Sequence, residues 1–271
     1  MKKKIVFLLL MVATMIMSSL TMATIAFAGS GDDNNDATCP EVGAEWVNDY
    51  PWWLASDLSY MDDSATGLIY ELDYWSNWIQ NFCLGNGYAW EEDFKMISRG
   101  GMDNYYVDNV DLAMFCGHGT DGYLLFGNGA HDDRYLDYFD AEWGDKDLEW
   151  IFLQACSTLE EDDADSSPWK SDGKFAQALD GVHLICGSAT VMHDIDVGSS
   201  VGTYLAFGMW YTAMESWFYG CDDAGEHSGI ELRVIADNTW FFDESIWKSG
   251  GTVYSDPTAD DYYYSYDYQC S

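Results

Sequence analysis

The chain has 271 residues, with 11 Lys and Arg against 47 Asp and Glu and a formal net charge of −36. A surface this acidic repels nucleic-acid phosphates and anionic membranes and suits cationic substrates, bound divalent cations or high salt, so nucleic acid is excluded as a partner. Aromatic residues make up 17% of the chain, with 13 Trp and 19 Tyr, so a packed core is available and general disorder is excluded.

Lys2, Lys3 and Lys4 open the chain, an apolar stretch follows from Ile5, and Ala26-Phe27-Ala28 closes it with small residues. This is the pattern of a secretory signal peptide over residues 1–28, cut after Ala28. An uncleaved anchor is the alternative, since Ile5 to Ala28 is long enough to span a bilayer. Cleavage predicts a protein that is secreted, extracellular or at the cell surface, with no membrane attachment. It also leaves 8 basic residues against 47 acidic ones. Residues 29–38 are Asp/Asn-rich and aperiodic, and read as a flexible acidic leader. Residues 39–255 suit one domain. All seven cysteines, at 39, 83, 116, 156, 186, 221 and 270, follow the signal region. Export favours disulfides, and an odd number leaves at least one thiol over. Cys39 with Cys83 and Cys221 with Cys270 are the pairings their positions suggest.

Apolar residues at helical spacing (Leu68, Leu72, Trp75, Ile79, Phe82) predict a helix over residues 62–83, ending at Gly85. Residues 90–97 read as a shorter helix. Four apolar runs read as strands: 110–117, 149–154, 182–189 and 232–235. Runs without alternation indicate strands buried on both faces, as in a parallel sheet. Between them, residues 173–179 and the long apolar segment 199–218 read as helices. Strands alternating with helices predict an α/β fold, a single domain with a mostly parallel sheet and helices on both faces. Residues 256–271 form an Asp/Tyr-rich C-terminal tail whose spacing fits an edge hairpin or a solvated segment.

Two of these strands end in chemistry-bearing words, Gly117-His118-Gly119 and Gln154-Ala155-Cys156. Functional groups of open α/β sheets collect at the carboxyl ends of the strands. Neighbouring strands would place the His118 imidazole beside the Cys156 thiol. A free thiol has a pKa of about 8.5, so little thiolate exists at neutral pH without a base. His118 would take that proton and return it to a leaving amine. The amides of Gly119 and Cys156 would form the oxyanion hole. If the strands ending at residues 117, 155 and 188 lie side by side in that order, Cys116 and Cys186 are separated by a strand and stay reduced.

The layout of an apolar block, His-Gly, a spacer, an apolar block and Ala-Cys resembles the clan CD cysteine peptidases, the group of caspases, legumain, clostripain and gingipains. Gln154-Ala155-Cys156 resembles the caspase nucleophile motif, and Ser157 departs from its Arg-Gly. The segments Trp46–Tyr50, Tyr88–Glu91, Val107–Leu112, Gly117–Gly119, Trp143–Trp150 and Ala155–Ser157 together resemble an uncharacterised family of secreted prokaryotic proteins with a domain of unknown function. The resemblance implies a caspase-like α/β fold, a His118/Cys156 dyad, and a secreted cysteine peptidase acting on peptide or protein substrates. In several clan CD groups an acidic residue two places before the nucleophile recognises Arg or Lys. Gln154 stands there in this chain, and Asp194 or Asp196 could restore a basic preference.

Other readings compete with this one. The same fold could serve a catalytically silent acidic cell-surface or binding protein. A zinc site from His118, Cys156 and His193 lacks a short-spaced ligand pair. No cofactor is required by the dyad, although Asp162–Asp165 or Asp194 and Asp196 could give oxygens to Ca2+. Of the other histidines, His131 reads as exposed, His183 as core and His227 as loop, while His193 could reach the groove. Oligomeric state is not legible.

Overall fold

The computed structural model describes residues 39–160, 169–170, 173–257 and 261–271. The expected signal peptide, residues 29–38 and the acidic loop at Asp162–Asp165 lie outside them. The apolar runs form strands β1 (Glu41–Trp46), β2 (Ile79–Gly85), β3 (Leu112–Cys116), β7 (Trp150–Gln154), β8 (Leu184–Ser188), β9 (Glu231–Ala236) and β10 (Tyr264–Gln269). Together they make one seven-stranded sheet in the order β10-β9-β8-β7-β3-β1-β2. The strands from β2 through β8 run parallel, whereas β9 is antiparallel to β8 and β10 to β9. The fold is therefore the expected α/β type with a mostly parallel sheet. A second, three-stranded antiparallel sheet joins β4 (His118–Thr120), β5 (Tyr123–Leu125) and β6 (Tyr135–Asp137).

Side-chain alternation divides the core. Val42, Ala44, Leu112, Met114, Trp150, Phe152, Leu184 and Cys186 face one layer, and Ala113, Phe115, Ile151, Leu153 and Ile185 face the other. The first layer is covered by α1 (Met61–Ser76), α2 (Gly198–Ala206) and α3 (Ala213–Ala224), through Leu68, Leu72, Val201, Leu205 and Trp217. On the second face the helical cover consists of short 3-10 turns, which contribute Val107 and Phe175, together with Phe94, Trp143 and the small sheet's Leu124 and Leu136. Because both faces are apolar, the central strands read in sequence as unbroken hydrophobic runs.

Several expected boundaries shift. The helix expected over 62–83 stops at Ser76, because Asn77 adopts a left-handed φ of 55° and turns the chain into β2. Ile79 and Phe82 therefore continue the helical spacing by coincidence. Residues 90–97 form separate 3-10 turns at Glu91–Asp93 and Ile97–Arg99 instead of a helix. The segment 199–218 breaks into α2 and α3, the latter started by a capping box between Thr212 and Glu215. Within the 256–271 tail, Tyr264–Gln269 is the largely exposed edge strand β10, paired antiparallel with β9. Cys83, Cys221 and Cys270 are unbridged thiols, so the Cys39–Cys83 and Cys221–Cys270 pairings are not formed. The strand order β3-β7-β8 is the one anticipated for Cys116 and Cys186, and both are buried and unbridged. No helix among the described residues is long and apolar enough to cross a membrane.

Candidate active site

β3 and β7 are parallel neighbours with Cys116 opposite Gln154, so the words that follow them emerge side by side. The amide of Gly117 donates to the Gln154 carbonyl at 3.1 Å, extending the ladder one step. The chain then leaves the main sheet and enters β4. Gly119 allows this close approach: a Cβ there would stand 2.8 Å from the Ala155 Cβ and 3.1 Å from the Cys156 carbonyl oxygen. After Cys156 the chain turns sharply, with Ser157 at a φ of 51° and its amide donating to the Thr190 carbonyl at 2.7 Å. A non-glycine residue in that region marks a tightly held turn.

His118 is fixed from two sides. Its amide donates to the Tyr50 hydroxyl at 2.9 Å, and that hydroxyl donates to the Leu125 carbonyl at 2.9 Å. The Tyr50 and His118 ring centroids are 4.8 Å apart. The Nε2 of His118 lies 2.8 Å from the Ser56 carbonyl oxygen. A carbonyl only accepts, so Nε2 carries the proton and Nδ1 is left with a lone pair.

Cys156 is half-buried. Its sulfur lies 3.4 Å from the Met192 amide nitrogen and 3.6 Å from the Met192 carbonyl oxygen. Burial pushes its pKa up, the Met192 contact pulls it down, and the Glu226 carboxylate pushes it up again. His118 and Cys156 open into one cavity of about 220 Å³, whose apolar walls are Leu58, Met61, Val191 and Met192. A larger hollow of about 370 Å³ beside Asp49 and Asn128 is lined by no cysteine or histidine.

The anticipated substrate-pocket residues also bond to neighbouring protein groups. Gln154 lines the cavity but is buried; its Oε1 accepts from the Ser64 hydroxyl and its Nε2 donates to the Ile195 carbonyl at 2.7 Å. Asp194 also lines it, yet its carboxylate accepts from the amides of Ser59 at 2.8 Å and Tyr60 at 3.0 Å, bracing the start of α1. Asp196 accepts from the Ser199 amide and hydroxyl at the start of α2. The Asp196 contact suits a helix start, whose first amides lack intrahelical partners. Of the two acidic candidates, Asp194 lines the cavity with its carboxylate braced by the Ser59 and Tyr60 amides, and Asp196 is not among the lining residues.

His193 reaches the same cavity, as its position after β8 suggested. Its Nδ1 lies 2.7 Å from the Glu226 carboxylate, which also accepts from the His193 amide at 2.9 Å. Glu226 is the residue that sequence reading missed. It follows Gly225, whose φ of 110° terminates α3 and turns the buried carboxylate back toward His193. The Gly-after-helix signal was legible, but its partner lies too far away in sequence to be inferred. His183 is buried and bonded to Glu244 at 2.9 Å, as a core histidine should be. His131 stacks on Trp90 at the surface and His227 lies beside His193. No metal cluster among the described residues includes Cys156, His118 or His193.

The family described as a domain of unknown function, DUF6345, matches residues 44–267. An uncharacterised protein of Archaeoglobus fulgidus is 26% identical over 193 residues, which cover 64% of this chain and 68% of that protein. Among solved structures, the crystal structure of the Drosophila initiator caspase Dronc is similar over 85% of this chain and 89% of that chain, with a TM-score of 0.42 and 16% identity.

Proposed function

The chain belongs to the DUF6345 family, and from its own side chains we propose that it is an extracellular cysteine hydrolase of the caspase-like type that cleaves peptide bonds. The observation that carries this reading is that Cys156 and a tautomer-fixed His118 open into one cavity at the carboxyl edge of the sheet. Nδ1 of His118 takes the thiol proton as the Cys156 sulfur attacks the substrate carbonyl carbon. The amides of Gly119 and Cys156 hold the oxyanion. The imidazolium then returns its proton to the leaving amine as the C–N bond breaks, leaving a thioester. Water, deprotonated by His118, cleaves the thioester and restores the thiol. The steps need no co-reactant beyond water.

The cavity walls bear on substrate choice. Leu58, Met61, Val191 and Met192 supply apolar surface, and the polar ends of Gln154 and Asp194 are tied to protein groups. An uncharged apolar side chain next to the scissile bond is therefore favoured over Arg or Lys.

The half-burial of the Cys156 thiol favours one second reading, in which the fold persists as a catalytically silent binding protein. Treatment with peptidyl electrophiles, followed by mapping of the modified residue, separates the two. Modification at Cys156 that is lost in Cys156→Ala supports the hydrolase. A chain left unmodified, or modified equally in that variant, supports the silent form.

A further inference from the structure

The opposite edge of the sheet carries a second cluster. Glu41 is the first residue of β1, Asp111 directly precedes β3, and Asp147 and Glu149 lie in the segment that enters β7. β1, β3 and β7 are parallel neighbours, so their amino-terminal edges bring these four acidic residues together, far along the strands from Cys156. Carboxylate oxygens of Glu41, Asp111 and Asp147 lie within 4.8 Å of one another. The Asp111 carboxylate is held by the Glu41 amide, which donates to it at 2.5 Å.

Burial separates this cluster from the acidic skin of the protein. Asp111 is 2% exposed, Asp147 3% and Glu149 1%. Both carboxylate oxygens of Glu149 are buried without a hydrogen-bond partner. The charged groups acting on Glu149 most strongly are other carboxylates, first Asp111 and then Asp147. Those acting on Asp111 are Asp147 and Glu41. Burying the unpartnered Glu149 carboxylate beside that of Asp111 in a low-dielectric corner is strongly unfavourable unless a cation or protons neutralise the pair.

We propose that Glu41, Asp111 and Asp147 bind a hard divalent cation, calcium, with the buried Glu149 carboxylate adding negative charge beside them. All donors are oxygens, which selects hard cations over zinc or copper. Calcium accepts six to eight oxygens at about 2.3–2.6 Å in irregular geometry, so oxygens across one ion stand roughly 5 Å apart. Three ligand atoms that all lie within 4.8 Å of one another fit around one such ion. Magnesium demands a tighter, near-octahedral shell at about 2.0–2.1 Å. The ion would tie together the starts of three central strands, so it stabilises the sheet and takes no part in the hydrolysis.

The test uses the full chain stripped with EDTA and then titrated with CaCl2, followed by calorimetry and by thermal unfolding. One calcium site is expected, with Tm raised by roughly 5 °C at a hundredfold excess over Kd. Asp111→Asn with Asp147→Asn should remove both effects, while the stripped variant melts no lower than the stripped parent because repulsion is relieved. Glu149→Gln, which keeps the cluster itself, should weaken binding about tenfold and serves if the double variant fails to fold. An unchanged Tm and no binding heat in the parent would overturn the proposal. So would equal binding by the parent and both variants, which would assign calcium to the general acidic surface, or a response to magnesium alone.

Discussion

The Nε2 nitrogen of His118 lies 2.8 Å from the carbonyl oxygen of Ser56. This single contact decides which ring nitrogen can act as a base. The carbonyl holds the Nε2 proton and leaves Nδ1 bare. In the neutral protein, nitrogen-15 NMR of the ring should report the Nε2–H tautomer. An Nδ1–H tautomer would leave no acceptor for the thiol proton in the proposed geometry.

Tyr50 positions the same residue through its hydroxyl, which accepts from the His118 amide and donates to the Leu125 carbonyl. Tyr50→Phe strips both partners of their bond in a buried setting. Unfolding in urea should show a loss of about 1–3 kcal/mol. Electrophile labelling of Cys156 should slow several-fold because the ring is no longer anchored. A variant as stable and as reactive as the parent would show that Tyr50 is dispensable.

Glu226 acts on Cys156 by charge and on His193 by hydrogen bonding. Glu226→Gln removes the charge and keeps the hydrogen-bonding shape. Burial and Glu226 both raise the Cys156 pKa, so loss of the negative charge should lower it. Iodoacetamide should then modify Cys156 faster near neutral pH, by a factor of a few. Slower modification would mean that Glu226 supports the thiolate through His193.

Stability should fall as pH rises through the weakly acidic range. Burial pushes the Asp103 pKa up to about 7 and the Asp93 pKa up to about 6. In the unfolded chain both lie near 4. The folded protein thus binds more protons between these limits, and ∂ΔG/∂pH is negative there. The contribution is fully present below about pH 4 and is lost as pH rises through 6 to 7. Thermal unfolding in EDTA from pH 4.5 to 8 should show this decline, and Asp103→Asn should flatten it. A Tm that rises over that range would reverse the sign of these shifts.

The four main hydrophobic runs were legible because strands covered on both faces lose their polar alternation. The His118 and Cys156 words were legible because they directly follow those runs. β1 was not, since Glu41-Val42-Gly43-Ala44-Glu45-Trp46 mixes charge and small residues and becomes a strand only between β2 and β3. β2 was disguised by an apolar spacing that continues that of α1. The roles of Asp194 and Asp196 depend on amides just before α1 and at the start of α2, which composition cannot reveal. The His193–Glu226 contact and the Glu41–Asp111–Asp147 cluster both join residues distant in sequence, and only the strand register brings them together.

The most direct measurement is the rate at which a peptidyl acyloxymethyl ketone modifies Cys156 in the parent chain, in His118→Asn and in Cys156→Ala, read by peptide mapping with Tm as a control for folding. Modification of the parent at Cys156 is expected, none in Cys156→Ala, and a loss of about a hundredfold or more in a folded His118→Asn variant. A parent that stays unmodified, or a His118→Asn variant that reacts at the parental rate, would contradict the His118/Cys156 dyad.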